Sequence, residues 1–223
     1  MQDKKHITRV KKLVLFNGPP HSGKDQAAIS LENLLNNQSP LDGSPAYRPR
    51  RLKMATPVKE AAHALYGLPF SCEHYEREFG NAWKDEPQAE FFGKTPRSVY
   101  ISMSEEYAKV QQGESFFGRV LARRMMLDRQ SNVFLISDCG FVNEVVPLAL
   151  AYGKEKLLVV ELERPGTSFD GDSRSYIGEQ LQYHPVTRGV QVIRIPNNDT
   201  IMTLRYLLQG IAAKHLAFNP EFE

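Results

Sequence analysis

The sequence predicts one α/β domain, a three-layer α/β/α arrangement with a parallel sheet of about five strands and a small lid. Short apolar runs alternate with helical patterns along the chain, which favours parallel strands joined by right-handed crossovers. One apolar run ends in a glycine-rich turn that opens a helix, a combination that can bind anions at the helix N-terminus. The 223 residues, with 41% hydrophobic and 24% charged side chains, suffice for one domain over 1–223 with a substantial core.

The composition argues against several classes of protein. The formal charge of +2 is nearly balanced, so no global charge demands a nucleic-acid partner. Cys72 and Cys139 lie far apart and lack the spacing of metal ligands, which favours reduced thiols in a cytosol. No apolar stretch approaches the ~20 residues of a membrane span, and the polar residues 1–8 lack the apolar core of a signal peptide. We therefore expect a cytoplasmic protein with no membrane partner.

The first predicted strand covers residues 13–16 and leads into a glycine-rich loop and a helix over 23–35. Gly18, four further residues and the pair Gly23-Lys24 have the spacing of a phosphate-binding loop. Backbone N–H groups converge on an oxyanion at such a helix N-terminus, and Lys24 adds a positive charge that reaches the outer phosphates. The residues assigned to the phosphates of a donor nucleotide are Gly18, Pro19, Pro20, His21, Ser22, Gly23, Lys24, Asp25 and Gln26.

Asp25 stands where a phosphate-binding loop ordinarily has Ser or Thr, whose hydroxyl binds magnesium. A carboxylate is a hard oxygen ligand for Mg²⁺, directly or through water, so we predict that Asp25 binds the metal ion. In the alternative interpretation, Asp25 only complements the helix dipole in the first turn.

The second predicted strand covers 51–55, and Thr56-Pro57 then predicts the cap and first position of a helix that stops at Gly67. Proline is tolerated at that position because its missing N–H has no partner inside the helix. The predicted apolar face of this helix contains Val58, Ala61, Ala62 and Leu65.

Residues 71–128 have helical patterns throughout, and a second cap-proline pair, Thr95-Pro96, starts a helix that Gly113 ends. One face of that helix is predicted to contain Val99, Ser102, Met103, Glu106 and Val110. The apolar face of the following helix is predicted to contain Phe116, Phe117, Val120, Leu121 and Met125.

The clearest later strand covers 132–138 and ends in Asp138. A helix over 142–152 and a strand over 157–162 follow. Residues 164–184 are polar and rich in Gly, Asp, Ser and Arg, so we predict a mobile segment there, with few buried contacts to hold it.

A last strand over 190–195 completes the predicted sheet, and Asp199 caps a final helix with apolar residues on one face. The carboxyl ends of parallel strands meet at one edge of a sheet, where ligands bind. The side chains that follow the later strands are Lys59, Asp138, Arg164 and the amide pair Asn197-Asn198. Phosphoryl transfer needs charge neutralisation and in-line positioning more than covalent chemistry, and this set of residues can provide both.

Four stretches of the chain resemble the phage deoxynucleoside monophosphate kinases, within the P-loop nucleoside and nucleotide kinase superfamily. They are residues 18–25, 55–59, 136–144 and Asp172-Ser173-Arg174. The resemblance implies the P-loop NTPase fold, ATP as donor, Mg²⁺ as metal ion and a deoxynucleoside 5′-monophosphate as acceptor, for phage DNA precursor synthesis in a host cytoplasm. The third stretch is similar to the family's Asp-Val-Arg-Phe-x-Asn-Glu, with Gly140 in place of its arginine. Any role of that arginine is therefore absent or supplied from elsewhere.

The resemblance also implies roles at matching positions. Asp138 would contact Mg²⁺ or the acceptor sugar, and Asn197 is assigned to the donor nucleotide. Arg164 and Arg174 lie in the predicted lid over 164–184, which would close over the nucleotides and neutralise charge on the transferring phosphoryl group. The predicted catalytic residues are Lys24, Asp138, Arg164 and Arg174.

The helical region 56–128 is predicted to bind the acceptor. Lys59 and Arg97 each lie in the first turn of a proline-started helix, and we predict that they hold the acceptor phosphate. Glu106 lies near the apolar stripe of its helix and is predicted to bind a sugar hydroxyl. Lys59 and Arg97 would otherwise be ordinary surface charges.

Other interpretations are open from the sequence alone. Asp138 could cap the following helix, and the two lid arginines could be solvated loop charges. Trp83 and the Phe116-Phe117 pair are interpreted as core side chains rather than as a base-stacking surface. The basic segment 48–53 keeps open a kinase that acts on a modified base in DNA, such as 5-hydroxymethyluracil. A P-loop ATPase or nucleotide-binding regulator is a third class, and the base of the acceptor and a homodimer are left open.

Overall fold

The computed structural model describes residues 11–37, 47–80, 82–198 and 200–216. The polar N-terminal residues, much of the predicted loop after the first helix and the predicted cap Asp199 lie outside these ranges. Within the described ranges, no helix combines the length and the apolar character that crossing a membrane requires.

The strands of the described chain form one parallel sheet in the order β2-β3-β1-β4-β5. They are β1 (Lys12–Asn17), β2 (Pro49–Leu52), β3 (Val133–Ile136), β4 (Leu157–Glu163) and β5 (Gln191–Pro196). The register places Leu13 of β1 beside Phe134 of β3 and beside Leu157 of β4. These three strands occupy the centre and are almost wholly buried, which explains their continuous apolar runs. The predicted parallel sheet is confirmed.

The helices of the described chain alternate with the strands. They are α1 (Lys24–Asn36), α2 (Thr56–Leu65), α3 (Cys72–Phe79), α4 (Pro96–Ser102), α5 (Lys109–Gln112), α6 (Phe116–Leu127), α7 (Val142–Tyr152), α8 (Gly178–Tyr183) and α9 (Ile201–His215). A π-helical turn (Met103–Ala108) joins α4 to α5, and 3₁₀ turns occupy Ala82–Asp85, Ala89–Phe91 and Lys154–Lys156.

Helices cover both faces of the sheet. On one face, α1 and α9 contribute Leu31 and Leu208, which are fully buried against the strands. On the other face, α6, α7 and α8 contribute the buried side chains of Leu121, Leu148 and Leu181. The side chains of the central strands β1, β3 and β4 alternate between these two cores, so the predicted three-layer α/β/α architecture is confirmed.

A third, largely aromatic cluster fills the helical region between β2 and β3. Its buried members are Ala62, Tyr75, Trp83, Phe91, Val99 and Tyr100. His63 lies among these rings, and its ring nitrogens are hydrogen-bonded to the Phe70 carbonyl oxygen at 3.1 Å and the Tyr100 hydroxyl at 2.7 Å. Burial lowers the pKa of His63 below its ordinary value. The cluster confirms Trp83 as a core residue and fixes α2 against α4.

The second strand lies earlier than predicted, at Pro49–Leu52 instead of 51–55. Met54 and Ala55 leave the strand because their backbone N–H groups donate to the carboxylate of Asp138. The sequence pattern alone contained no signal for this turn.

The helix after this turn also differs from its prediction. α2 begins at Thr56 itself, so Ala55 rather than Thr56 occupies the cap position. The buried side chains are those of Val58, Ala62 and His63. Ala61 and Leu65, predicted on the apolar face, lie towards solvent because α2 packs on the aromatic cluster through a different side.

The π-helical turn after α4 rotates the residues that follow it. Thr95 caps α4 as predicted, accepting a hydrogen bond from the Ser98 N–H at 3.1 Å, and Gly113 follows α5. Because a π turn spans more residues than an α turn, an α-helical pattern loses register across it. Val110 and Glu106 are consequently exposed rather than directed to the core.

The segment 164–184 is less uniformly loose than its polarity predicts. Its second half contains α8, and both Ile177, which precedes this helix, and Leu181 within it are fully buried in the core. The side chain of Asn17 anchors the same stretch, since its Nδ2 donates to the Ser175 carbonyl oxygen at 3.0 Å. Only the part before Ser175 matches the prediction of a segment with few buried contacts.

Candidate active site

The loop between β1 and α1 has the backbone geometry that its two glycines allow. Gly18 and Gly23 have φ angles of 153° and 96°, which side-chain-bearing residues rarely adopt. A Cβ atom on Gly18 would lie 2.7 Å from both the Leu162 carbonyl oxygen and the Ser22 Oγ, and one on Gly23 would overlap the Asn197 amide. The loop is therefore packed against the ends of β4 and β5.

Lys24 closes over this loop. Its Nζ donates to the carbonyl oxygens of Gly18 and Pro19, at 2.7 and 2.5 Å. Burial, together with the nearby positive charge of Arg174, lowers the pKa of Lys24 to about 8, although the carboxylates of Asp25, Asp172 and Asp138 act in the opposite direction. The ammonium group is thus partly desolvated, and a phosphate placed beside it would favour its charged form.

Two other predicted residues hold the loop from outside. Asn197 Nδ2 donates to the Ser22 carbonyl oxygen at 2.8 Å, and Arg164 Nη1 donates to the His21 carbonyl oxygen at 3.4 Å. His21 is exposed and has a positive φ of 63°. Asn197 and Arg164 therefore contact the backbone of the phosphate-binding loop rather than the cavity described below.

Asp25 faces the end of β3. The Ser137 hydroxyl donates to Asp25 Oδ1 at 2.6 Å, and Lys53 Nζ lies 3.1 Å from the same oxygen. Burial raises the pKa of Asp25, but this hydroxyl and this ammonium together hold it below the ordinary value, so the group is a carboxylate. The carboxylate comes from the first turn of α1, and the hydroxyl comes from the residue that follows β3.

The donor set at this point fits Mg²⁺ bound through the loop. Within the described residues there is no group of three or more His, Cys, Asp or Glu side chains that could enclose a metal ion. Mg²⁺ commonly keeps several waters and takes one or two carboxylates together with substrate phosphates. Asp25, in the first turn of α1 beside Lys24, has a carboxylate of the kind that such a site uses.

Asp138 does not cap the following helix, which was the alternative to a functional role. Its carboxylate accepts the N–H groups of Met54 at 2.7 Å and Ala55 at 3.0 Å, and so joins the end of β3 to the start of α2. Burial raises the pKa of Asp138, partly offset by these two N–H groups. The cap of α7 comes instead from Glu144, which accepts the N–H groups of Gly140 and Phe141.

A cavity of about 580 Å³ opens beside Asp138, between α2, α4, α5 and the residues around Arg174. Its apolar lining includes Val58, Tyr100, Phe117 and Phe141. Its cationic lining consists of Lys59, Lys84, Arg97, Lys109 and Arg174. Its acidic lining consists of Glu105, Asp138, Glu144 and Asp172. The cavity therefore offers flat apolar surfaces and several positive charges to a ligand.

Lys59 and Arg97, predicted to hold an acceptor phosphate, both reach this cavity. Lys59 is paired with Glu76, and Lys84 Nζ lies 3.4 Å from the same carboxylate. Arg97 is paired with Asp85 through two hydrogen bonds, the second at 3.0 Å. Lys84 escaped sequence analysis because it lies in a short 3₁₀ turn without a periodic pattern.

Glu106 is not brought to the cavity. It is exposed, and its carboxylate accepts a hydrogen bond from the Ser102 hydroxyl at 2.7 Å. The adjacent Glu105 lines the cavity instead and pairs with Lys109 at 2.7 Å. The π-helical turn accounts for this exchange, because the α-helical spacing that selected Glu106 does not apply across it.

Two further charged residues of the cavity were missed by the sequence analysis. Lys109 is buried, with its Nζ 4.3 Å from the centre of the Phe141 ring. Glu144 is also buried, and burial raises its pKa to about 7 despite the N–H groups it accepts. The Asn-Glu pair that ends the third family-like stretch, Asn143-Glu144, was the available signal for the second of these.

Of the two predicted lid arginines, only Arg174 lines the cavity. Its guanidinium is paired with Asp172, through Nε at 2.8 Å and Nη2 at 2.5 Å. Its aliphatic part lies across Gly140, the residue that stands where the family pattern has an arginine. An arginine from a different segment, Arg174, thus occupies the space beside position 140.

No protein-family model matches the chain, and no curated protein matches it. Among solved structures, the chain is similar to the shikimate kinase from Acinetobacter baumannii in complex with shikimate, with 15% sequence identity and a TM-score of 0.43. The match covers 94% of this chain and 95% of that one. At this similarity the match has no bearing on the substrate of this chain.

Proposed function

We propose that this protein is a P-loop kinase that transfers the γ-phosphoryl group of ATP to a deoxynucleoside 5′-monophosphate with Mg²⁺. The observation that carries the proposal is the cavity of about 580 Å³, whose lining combines cations, carboxylates and aromatic rings. Three of the lining residues interact electrostatically with Lys24 of the phosphate-binding loop, namely Asp138, Asp172 and Arg174. Small-molecule sites typically enclose about 300–1,000 Å³, so the cavity suits one mononucleotide.

On the donor side, the backbone of residues 18–24 would bind the triphosphate at the N-terminus of α1. Lys24 would exchange its loop carbonyl partners for the outer phosphates. A magnesium ion held by Asp25 would neutralise charge between the β- and γ-phosphate oxygens. Arg174 would neutralise charge on the transferring group from the cavity side.

On the acceptor side, Lys59, Lys84 and Arg97 would hold the monophosphate. They come from three different elements, they all line the cavity, and Lys84 interacts electrostatically with both of the others, so a phosphate beside Lys84 would meet several positive charges. The base would lie between the apolar side chains of Val58 and Tyr100. A phosphate monoester is largely dianionic at pH 7, so its attacking oxygen needs no protein base, and the chain supplies positioning and charge.

The basic segment 48–53 gives less support to a kinase that acts on a base in DNA. Arg50 pairs with Asp128 at 2.7 Å and Arg51 with Glu32 at 2.5 Å, so part of its positive charge is already balanced. Salt dependence separates the two acceptors, because affinity for duplex DNA falls with a log–log slope of roughly −0.9 per phosphate neutralised. A held monophosphate should give a shallow slope.

The direct test is a transfer assay with γ-labelled ATP and a panel of acceptors. The panel contains each deoxynucleoside monophosphate, each ribonucleoside monophosphate and duplex DNA with 5-hydroxymethyluracil. We expect label on at least one deoxynucleoside monophosphate, at a rate that exceeds the release of inorganic phosphate. Label on DNA alone, or phosphate release without any labelled acceptor, would overturn the proposal.

A matched pair of variants ties the activity to the cavity. Lys59→Met removes a cavity charge but keeps most of the length of the side chain, and it should raise the acceptor KM by about tenfold, or about 1.4 kcal/mol. Lys94→Met is the control, because Lys94 is exposed and does not line the cavity. Equal effects of the two substitutions would argue against an acceptor phosphate at Lys59.

A further inference from the structure

Gly140 lies directly beneath the aliphatic part of Arg174. A Cβ atom on Gly140 would lie 2.5 Å from Arg174 Cγ and 3.1 Å from its Cβ, and would overlap Cδ. The backbone at Gly140 is outside the left-handed region, so an alanine could adopt it. The absence of a side chain at this position is therefore required by the neighbouring arginine and not by the backbone conformation.

The charged end of Arg174 is fixed as well. Its Nε and Nη2 donate to the two carboxylate oxygens of Asp172, at 2.8 and 2.5 Å, and its backbone N–H donates to Oδ1 at 2.9 Å. This two-pronged geometry between guanidinium and carboxylate restricts rotation of the planar group. The stem on Gly140 and the head on Asp172 give Arg174 two separate supports.

The chain that follows Arg174 is anchored in the core. Asn17 Nδ2 donates to the Ser175 carbonyl oxygen at 3.0 Å, and the Ile177 N–H donates to Asn17 Oδ1 at 3.3 Å. Ile177 is fully buried. Arg174 therefore directly precedes the anchored residues 175–177 and is not in the middle of the exposed part of the segment. It lines the cavity together with Asp138.

We propose that Gly140 is a positioning residue that lets Arg174 stand at the cavity before any nucleotide binds, so that phosphoryl oxygens then replace Asp172 as the partner of the guanidinium. This inference rests on the proposed kinase function for its role in catalysis, but the positioning itself does not depend on activity. This proposal differs from the prediction made from the sequence, in which closure of the segment 164–184 brings Arg174 to the nucleotides. A carboxylate and a phosphoryl group offer similar paired oxygens, which is why the exchange retains the two-pronged geometry.

A double-mutant cycle between positions 140 and 174 tests the catalytic role. Gly140→Ala should lower kcat about tenfold or more, with a much smaller change in the KM for ATP, because the displaced charge acts chiefly in the transition state. Arg174→Ala should lower it at least as much, and adding Gly140→Ala to that variant should change nothing further. Gly210→Ala is the control, since no atom lies within 4 Å of a Cβ built there.

The opposite results are equally clear. If Gly140→Ala turns over within twofold of the wild type, or lowers kcat equally in the Arg174→Ala background, Gly140 does not act through Arg174. Should Gly140→Ala alone fail to fold, the double variant decides: folding in the Arg174→Ala background supports the overlap, and failure to fold there overturns it.

A second measurement needs no activity. In the ligand-free protein, the NMR signal of the Arg174 Nε–H should exchange slowly with water, since that group donates to Asp172, and Arg174→Lys identifies the signal. Gly140→Ala should shift this signal and speed its exchange, whereas Gly210→Ala should leave it unchanged. An unaltered signal in Gly140→Ala refutes the positioning. If no monophosphate is phosphorylated by the wild type, the proposed function fails while this measurement still decides the role of Gly140.

Discussion

Lys24 is a predicted catalytic residue, and its surroundings in the folded protein disfavour its positive charge. The catalytic role can be measured through turnover, and the cost of the charge through the free energy of unfolding. Burial lowers the pKa of Lys24 from 10.5 to about 8, so the folded protein disfavours the charged ammonium that a phosphate would need. Lys24→Met keeps the aliphatic stem and removes the charge. We expect this variant to lose phosphoryl transfer and to be more stable than the wild type near pH 7.

The size and pH dependence of the stability difference follow from linkage. Between about pH 8 and 10.5 the unfolded chain binds more protons at Lys24 than the folded chain, so wild-type stability rises with pH across that window. Each pH unit between the two pKa values corresponds to about 1.4 kcal/mol, which sets an upper bound of about 3 kcal/mol. Because the side chain is only partly buried, solvent screening reduces the difference to about 1–2 kcal/mol.

The assay is urea unfolding of both proteins at several pH values between 6.5 and 10.5, with the free energy of unfolding extrapolated to water. The advantage of Lys24→Met should be largest below pH 8 and should shrink by about 1–2 kcal/mol as the pH approaches 10.5. Other groups that titrate in this range are shared by both proteins and cancel in the difference. Lys94→Met, on the exposed surface, provides the control for general loss of a positive charge.

Two results would refute this reasoning. A stability difference that does not change with pH would show that Lys24 is not charged at a cost in the folded state. A Lys24→Met variant with near-wild-type turnover would remove the phosphate-binding role, whatever its stability.

Three other perturbations test separate parts of the site. Asp25→Asn should raise the Mg²⁺ concentration for half-maximal turnover while lowering stability by less than about 1 kcal/mol, and an unchanged Mg²⁺ titration would favour the helix-dipole alternative. Glu144→Gln should stabilise the protein by up to about 3 kcal/mol at pH 8 and not at pH 4, because the raised pKa of about 7 makes wild-type stability fall as the pH rises from about 4.5 through 7. Amide hydrogens of 165–173 should exchange quickly without nucleotides and slowly with both bound, and equal protection in the two states would exclude closure.

The sheet and the phosphate-binding loop were predictable because local patterns specify them. The apolar runs that become β1, β3 and β4 are continuous, as strands covered on both faces require, and they end at polar residues. The spacing of Gly18 and Gly23-Lys24 depends on backbone geometry that only glycine adopts readily. Such signals lie within a few residues of one another and need no tertiary information.

The walls of the cavity were predictable only in part, because they depend on contacts between distant segments. The edge strand β2 and the start of α2 are set by Asp138, which is far away in sequence. Glu105 lines the cavity in place of the predicted Glu106 because of a π-helical turn, and the sequence of this stretch contains no pattern that predicts such a turn. The anchoring of 175–184 comes from Asn17 and from the buried Ile177, two interactions that a count of polar residues hides.

The cations of the cavity share one property that bears on selectivity: each is held by an acid in the ligand-free chain. The pairs are Lys59 with Glu76, Arg97 with Asp85, Lys109 with Glu105, and Arg174 with Asp172, and Lys84 shares Glu76 with Lys59. A ligand that uses one of these cations must replace a carboxylate, and a neutral ligand gains nothing from that exchange. A phosphate can replace it, since it brings comparable oxygens and more negative charge. The pairing therefore orients the cations before a ligand binds. It also makes phosphorylated ligands bind better than uncharged ligands of the same shape, because only the former can replace the carboxylates.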